Sequence, residues 1–126
     1  MPINSSKSKM SGFTLIELMI VVSIILVMSS IALSIFLKYD CLAKQSEAKS
    51  SLSKIYKAQI AYFSEYNKFS SSLSVIGFSI SNNRYTYNAG GNDDTFVATA
   101  TNGPNNDAWS IDQNKILTNT TPGCSK

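Results

Sequence analysis

Two features of this 126-residue chain have the residue types and the placement to do chemistry: one carboxylate inside an apolar run, and one pair of cysteines. Glu17 interrupts Gly12-Phe13-Thr14-Leu15-Ile16-Glu17-Leu18-Met19-Ile20-Val21-Val22, where an unpaired carboxylate surrounded by lipid tails would be costly. Such a group snorkels toward head groups, suits a helix N-terminus, or meets a cation brought by another copy of the chain. Cys41 and Cys124 are the only cysteines, and the sequence leaves two states open for them, a disulfide or two free thiols. The chain has no histidine, which removes His-based triads, His-ligated metals and imidazole switches. No phosphate-cradling loop and no metal-ligand cluster stands out, so no catalytic residue, metal or cofactor is assigned.

Other features have ordinary readings. Asp93, Asp94 and Asp107 lie among Asn and Gly, as the oxygen ligands of Ca²⁺ often do. They lack EF-hand spacing and are read as turn residues. Asn119-Thr120-Thr121 fits an N-glycosylation sequon, a short pattern that often arises by chance. Aromatic residues recurring from Phe13 to Phe69 are read as packing groups. A net charge of +3 is too mild to point to nucleic acid, and Arg84, Lys115 and Lys126 are too scattered for a DNA site.

The elements that must carry these residues follow from periodicity. Leu18 to Leu37 is a run of twenty residues without a charge. As a helix it spans about 30 Å, the hydrocarbon thickness of a bilayer. Lys7 and Lys9 lie ahead of it in a stretch with no acidic residue before Glu17, which places the N-terminus in the cytoplasm and residues from about Lys38 across the membrane. The pattern predicts that the helix continues to about Tyr66, since no proline falls between Phe13 and Tyr66 and no glycine before Gly77. Ala48, Leu52, Ile55, Tyr56, Gln59 and Phe63 then share one buried face, while Lys44 and Glu47 are placed to pair on the solvated side. Residues 67–83 read as an irregular connector. Four short β-favouring runs follow over 84–118: Arg84 to Asn88, Thr95 to Thr101, Ala108 to Ile111 and Lys115 to Thr118. Gly- and Asn-rich breaks between them, including Ala89 to Asn92, predict an antiparallel meander, with 119–126 as a tail. The expectation is an α+β ladle, a long helix packed on a small antiparallel sheet.

Lys7, Lys9 and the run from Gly12 to Val22 resemble the N-terminal signature of type IV pilins and pseudopilins. Further along, KQSEAKSSLSKIYKAQIAYFSEYNKFS is similar to type IVa major pilins of the deltaproteobacterial kind. The resemblance implies that residues 1–12 are a leader removed by a prepilin peptidase after Gly12, and that Phe13 becomes an N-methylated mature N-terminus. Residues 13–37 would be kept as a membrane anchor and filament core, and 38–126 would be the extracytoplasmic head. It also implies that Glu17 pairs with the amino group of a neighbouring Phe13 during assembly. Implied partners are further copies of the chain, the prepilin peptidase, an assembly platform in the inner membrane, and the membrane itself before assembly. The implied location is the inner membrane for the precursor, then a surface pilus used for adhesion or twitching motility. Where the family commonly has glycine and proline, this chain has Leu26 and Ser34, and Met10-Ser11 stands where a basic residue is more usual. Other readings of the same residues are a type II secretion pseudopilin, a minor pilin, or a membrane-anchored binding module that never polymerises.

Overall fold

In the computed structural model, which describes residues 1–3, 9–80 and 84–124, Leu15–Tyr66 form one uninterrupted helix, α1. Lys7, Asn83 and Lys126 lie outside the described residues. The chain divides into two compact units, Met1–Phe36 and Leu37–Lys126.

In the first unit α1 is apolar on every side, and all its residues are exposed. Its four serines could bond back to the preceding turn, and each does. Ser23, Ser29, Ser30 and Ser34 donate their hydroxyls to the carbonyls of Met19, Ile25, Val27 and Ile31 at 2.7–3.0 Å. No hydroxyl on this surface therefore needs water.

In the second unit α1 is amphipathic, and Gln45, Ala48, Leu52, Ile55 and Gln59 form its buried stripe. The helix ends where Asn67 turns left-handed (φ 53°) and its amide bonds the Phe63 carbonyl at 2.8 Å, a conformation that asparagine tolerates well. Four strands follow: β1 (Thr86–Gly91), β2 (Phe96–Thr101), β3 (Ala108–Asp112) and β4 (Leu117–Thr121). They pair antiparallel in sequence order, the meander that short turn-separated runs predict. Period-two alternation turns Phe96, Ala98 and Ala100 of β2 inward with Tyr87 and Ile111. These close on Ala48, Leu52 and Ile55 of α1 to make the core. Phe69 joins it, stacked on Phe63 (4.6 Å) and tilted against Phe96 (4.9 Å).

Six strand limits differ from the sequence expectation, among them three small shifts: β1 starts at Thr86, β2 starts at Phe96 and β3 ends at Asp112. β1 runs through Gly91 rather than breaking at Ala89, because Gly91 is where the connector presses onto the strand. A Cβ there would stand 2.7 Å from the Ser70 carbonyl oxygen. β4 starts at Leu117, since Lys115 is left-handed (φ 62°) and belongs to a turn held by Asp112 Oδ1. It also extends to Thr121, so the sheet takes in residues assigned to the tail, with a register shift at Ala108/Trp109. The pairing expected of Lys44 and Glu47 is replaced by two others: Lys44 bonds Asp40 at 2.6 Å, and Glu47 bonds Arg84 at 3.0 Å. Both new pairs have substantial exposure and add little stability.

Gln59 is fully buried and acts as a strand partner would. Its Nε2 donates to the Ser70 carbonyl at 2.6 Å, and its Oε1 accepts the Ser70 amide at 2.9 Å. Gln59→Leu keeps the volume but leaves both Ser70 backbone groups buried without partners. It is expected to lower the stability of the second unit by about 3 kcal/mol, read by denaturant titration of the full chain in micelles.

Candidate functional site

The residues singled out by their chemistry fall in two places, one in each unit. In the first unit, residues 9–14 are exposed and not helical, and α1 begins at Leu15. The Gly12–Phe13 bond is thus in accessible chain, and nothing lies within 4 Å of where a Gly12 side chain would start. A protease needs uncovered chain outside a helix, and this segment is both. Thr14 and Glu17 cap the helix reciprocally: the Thr14 amide donates to Glu17 Oε2 at 2.8 Å, and the Glu17 amide donates to Thr14 Oγ1 at 3.3 Å. Sequence reasoning noted that an acid suits a helix start but missed the box, although Thr-x-x-Glu is its signature. The cap holds the carboxylate at the N-terminal end of the helix, toward Phe13. From Leu15 to Leu37 the large apolar side chains are exposed, and this is the one stretch apolar and long enough to cross a membrane among the described residues.

In the second unit, the two cysteines are joined, Cys41 of α1 to Cys124, with Cα atoms 5.8 Å apart across 83 residues of chain. Closing a loop of that length stabilises by roughly 4–5 kcal/mol on the chain-entropy view. Beside it stands a group the sequence did not reveal as a junction. Asp107 is fully buried and accepts five hydrogen bonds. Oδ1 takes Gln45 Nε2 (2.9 Å), Asn119 Nδ2 (3.2 Å) and the Gly123 amide (2.8 Å). Oδ2 takes the Tyr85 hydroxyl (2.9 Å) and Trp109 Nε1 (2.6 Å). The donors come from α1, the entry to β1, β3, β4 and the C-terminal segment. Gly123 can approach only because it lacks a side chain, since a Cβ there would meet the Pro104 carbonyl and Asp107 itself. Lys49 lies over the Trp109 ring at 4.5 Å.

Burial alone would push the Asp107 carboxyl up. The Gly123 amide, Tyr85, Gln45 and Trp109 outweigh it and hold the group below the ordinary carboxylate range. Burial and the neighbouring Asp107 push the Tyr85 phenol well above its ordinary value. Neither group is arranged for catalysis. The Asp107 oxygens face N–H and O–H donors, an environment that repels a cation, so this aspartate is not a Ca²⁺ ligand. Asp93 and Asp94 lie in the β1–β2 turn, where Asn92 Oδ1 accepts the amides of Asp94 and Thr95. No group of three His, Cys, Asp or Glu side chains gathers for a metal among the described residues. The sequon at Asn119 is turned inward, its amide nitrogen already committed to Asp107. The signal that could have pointed to Asp107 was Gln45, a polar residue in register with Ala48, Leu52, Ile55 and Gln59.

Comparison with known proteins agrees with both halves. A family model described as type IV pilin-like G and H matches residues 45–116, and one described as the prokaryotic N-terminal methylation motif matches residues 7–33. The chain is similar to the type IV major pilin protein PilA of Myxococcus xanthus, 49% identical over 77 residues. That match covers 60% of this chain and 35% of the relative, so the chain spans about a third of the length of the curated protein it matches.

The linkage of Asp107 to pH has a definite sign. A carboxylate with a depressed folded pKa contributes stability that is fully present above its unfolded value, about 4, and is lost as pH falls through the folded value. Melting temperature followed by the near-ultraviolet signal of Trp109 is therefore expected to fall as the solution is acidified below about pH 4. Asp107→Asn turns one acceptor into a donor facing other donors. It is expected to cost about 3 kcal/mol or more at neutral pH and to weaken that acid dependence.

Proposed function

We propose a function from one premise: this chain belongs to the type IV pilin family. It is the structural subunit of a type IVa pilus, and the observation that carries the reading is the apolar surface of α1 from Leu15 to Leu37, which is exposed among the described residues. Before assembly, lipid of the inner membrane covers that surface. After assembly, the same segments of other copies cover it. The likeness to a type IV major pilin supports reading this chain as a major subunit.

Processing and register follow from the first turn. A prepilin peptidase cuts the exposed chain after Gly12, removing Lys7 and Lys9, and the new amine of Phe13 is N-methylated. Glu17, held at the start of the helix by Thr14, then offers a carboxylate to the Phe13 amine of a neighbour. In a low-dielectric bundle two opposite charges attract strongly, and a subunit out of register leaves both unpaired. A monomeric anchored module would gain only the helix cap, which glutamine completes without a charge. The heads form the outer surface of the filament, which serves adhesion or twitching motility and is built by an assembly platform in the inner membrane.

Glu17→Gln separates charge from capping, because glutamine at this position also completes the box. The variant is expected to be cleaved normally and to lower the yield of sheared filament at least roughly tenfold. Wild-type filament yield from Glu17→Gln would remove the register role and leave Glu17 as a helix cap.

A further inference from the structure

On the second unit, the end of α1 and the connector enclose an open groove of about 440 Å³. From α1 come Ala58, Ala61, Tyr62, Glu65 and Tyr66, at positions i, i+3, i+4, i+7 and i+8, the spacing of a helix face that packs against something. The stripe from Gln45 to Gln59 already meets the core, so this is a second face of the same helix. The connector adds Val75 and Ile76. Tyr66 and Val75 are more than half exposed, and the Tyr62 and Tyr66 rings lie 4.5 Å apart. Glu65 is the one charge among the residues that line the groove. It is exposed and makes no ion pair among the described residues.

The complementary chemistry stands on the β3–β4 turn of the same unit. Lys115 and Ile116 are both exposed there, and neither lines the groove of its own chain. Asp112 Oδ1 accepts the amides of Asn114 at 3.0 Å and Ile116 at 2.9 Å, which fixes the turn before any partner arrives. With Asp112 committed to those amides, the tip offers one apolar side chain, 57% exposed, and one ammonium without an ion pair among the described residues. Lys115 also holds a left-handed φ of 62°, whereas every other described residue with positive φ is asparagine or glycine. A turn that needed only to close would be better served by either, so the lysine side chain itself has a use. We propose that Ile116 of one copy seats in the groove of the next, with the Lys115 ammonium on the Glu65 carboxylate. Knob and groove are different surfaces, so the contact is heterologous and can repeat along an open helix instead of closing a pair. The inference rests on the pilus reading and deepens it. One turn tip buries far less than the about 1,200 Å² of a stable complex, so it acts between copies already held together by α1.

Sheared filaments are treated with a carbodiimide, which joins a carboxylate to an amine in contact with it, and the digest is read by mass spectrometry. The expected product joins Glu65 to Lys115 and is at least about tenfold scarcer from dilute full chain in micelles treated alike. Glu65→Lys and Lys115→Glu each bring like charges together and are expected to lower filament yield roughly tenfold, while the double reversal restores it to within about twofold of wild type. All three variants should melt in micelles as wild type does, since both side chains are exposed. Filaments without the Glu65–Lys115 product overturn the contact and leave the pilus reading standing. So does a product equally abundant in micelles, or a double reversal no better than the single changes. A wild type that sheds no filament overturns the pilus reading, and this contact with it.

Discussion

One helix must serve two different surroundings, and most of the molecule follows from that constraint. Through its first half α1 shows apolar side chains on every side, far more than a protein surface in water sustains. Its backbone polar groups are spent within the helix, its serine hydroxyls bond back to carbonyls, and its single ionised group sits in the first turn. Through its second half the apolar residues narrow to a stripe and the rest becomes polar. Every strand and turn is placed after that change, where water can satisfy loops and a core can form. Lipid and other apolar helices are the covers that suit the first half.

The second unit has a small core, ten buried apolar residues among those described, three of them from one face of α1. Units of this size gain little from burial alone and depend on staples. Here there are two, side by side in sequence. The Cys41–Cys124 bond fastens the C-terminal segment to α1, and Asp107 receives Gly123 beside that cysteine together with donors from the helix and the sheet. A buried charge is costly unless its partners are complete, and five donors complete this one. The same completeness makes the junction demanding, since any replacement for Asp107 strands several donors at once. Gln59 repeats the principle at the other end of the buried stripe, where it ties down the connector.

What the sequence made legible is what repeats along it. The uncharged run from Leu18 to Leu37 and the helical spacing from Ala48 to Phe63 are local patterns, and the structure keeps both within α1. Gly90-Gly91 looked like a turn because glycine weakens strands, whereas Gly91 is needed for contact with Ser70, a long-range reason. Asp107 looked like a turn acid because its donors are spread from Gln45 to Gly123 and no spacing rule joins them. Glu47 found Arg84 rather than its helical neighbour for the same reason. The first-turn cap was legible in Thr14 and Glu17, but the unusual apolar setting of the carboxylate drew attention away from it.

Whether the uncovered half of α1 is finally buried among copies of itself is decided most directly by the intact mass of protein sheared from the surface of producing cells. The expected result is one dominant species beginning at a methylated Phe13, two hydrogens lighter than its reduced form because Cys41 and Cys124 are joined. A species that keeps its first twelve residues, or a processed chain found only in the membrane fraction and never in the sheared material, would contradict a surface filament.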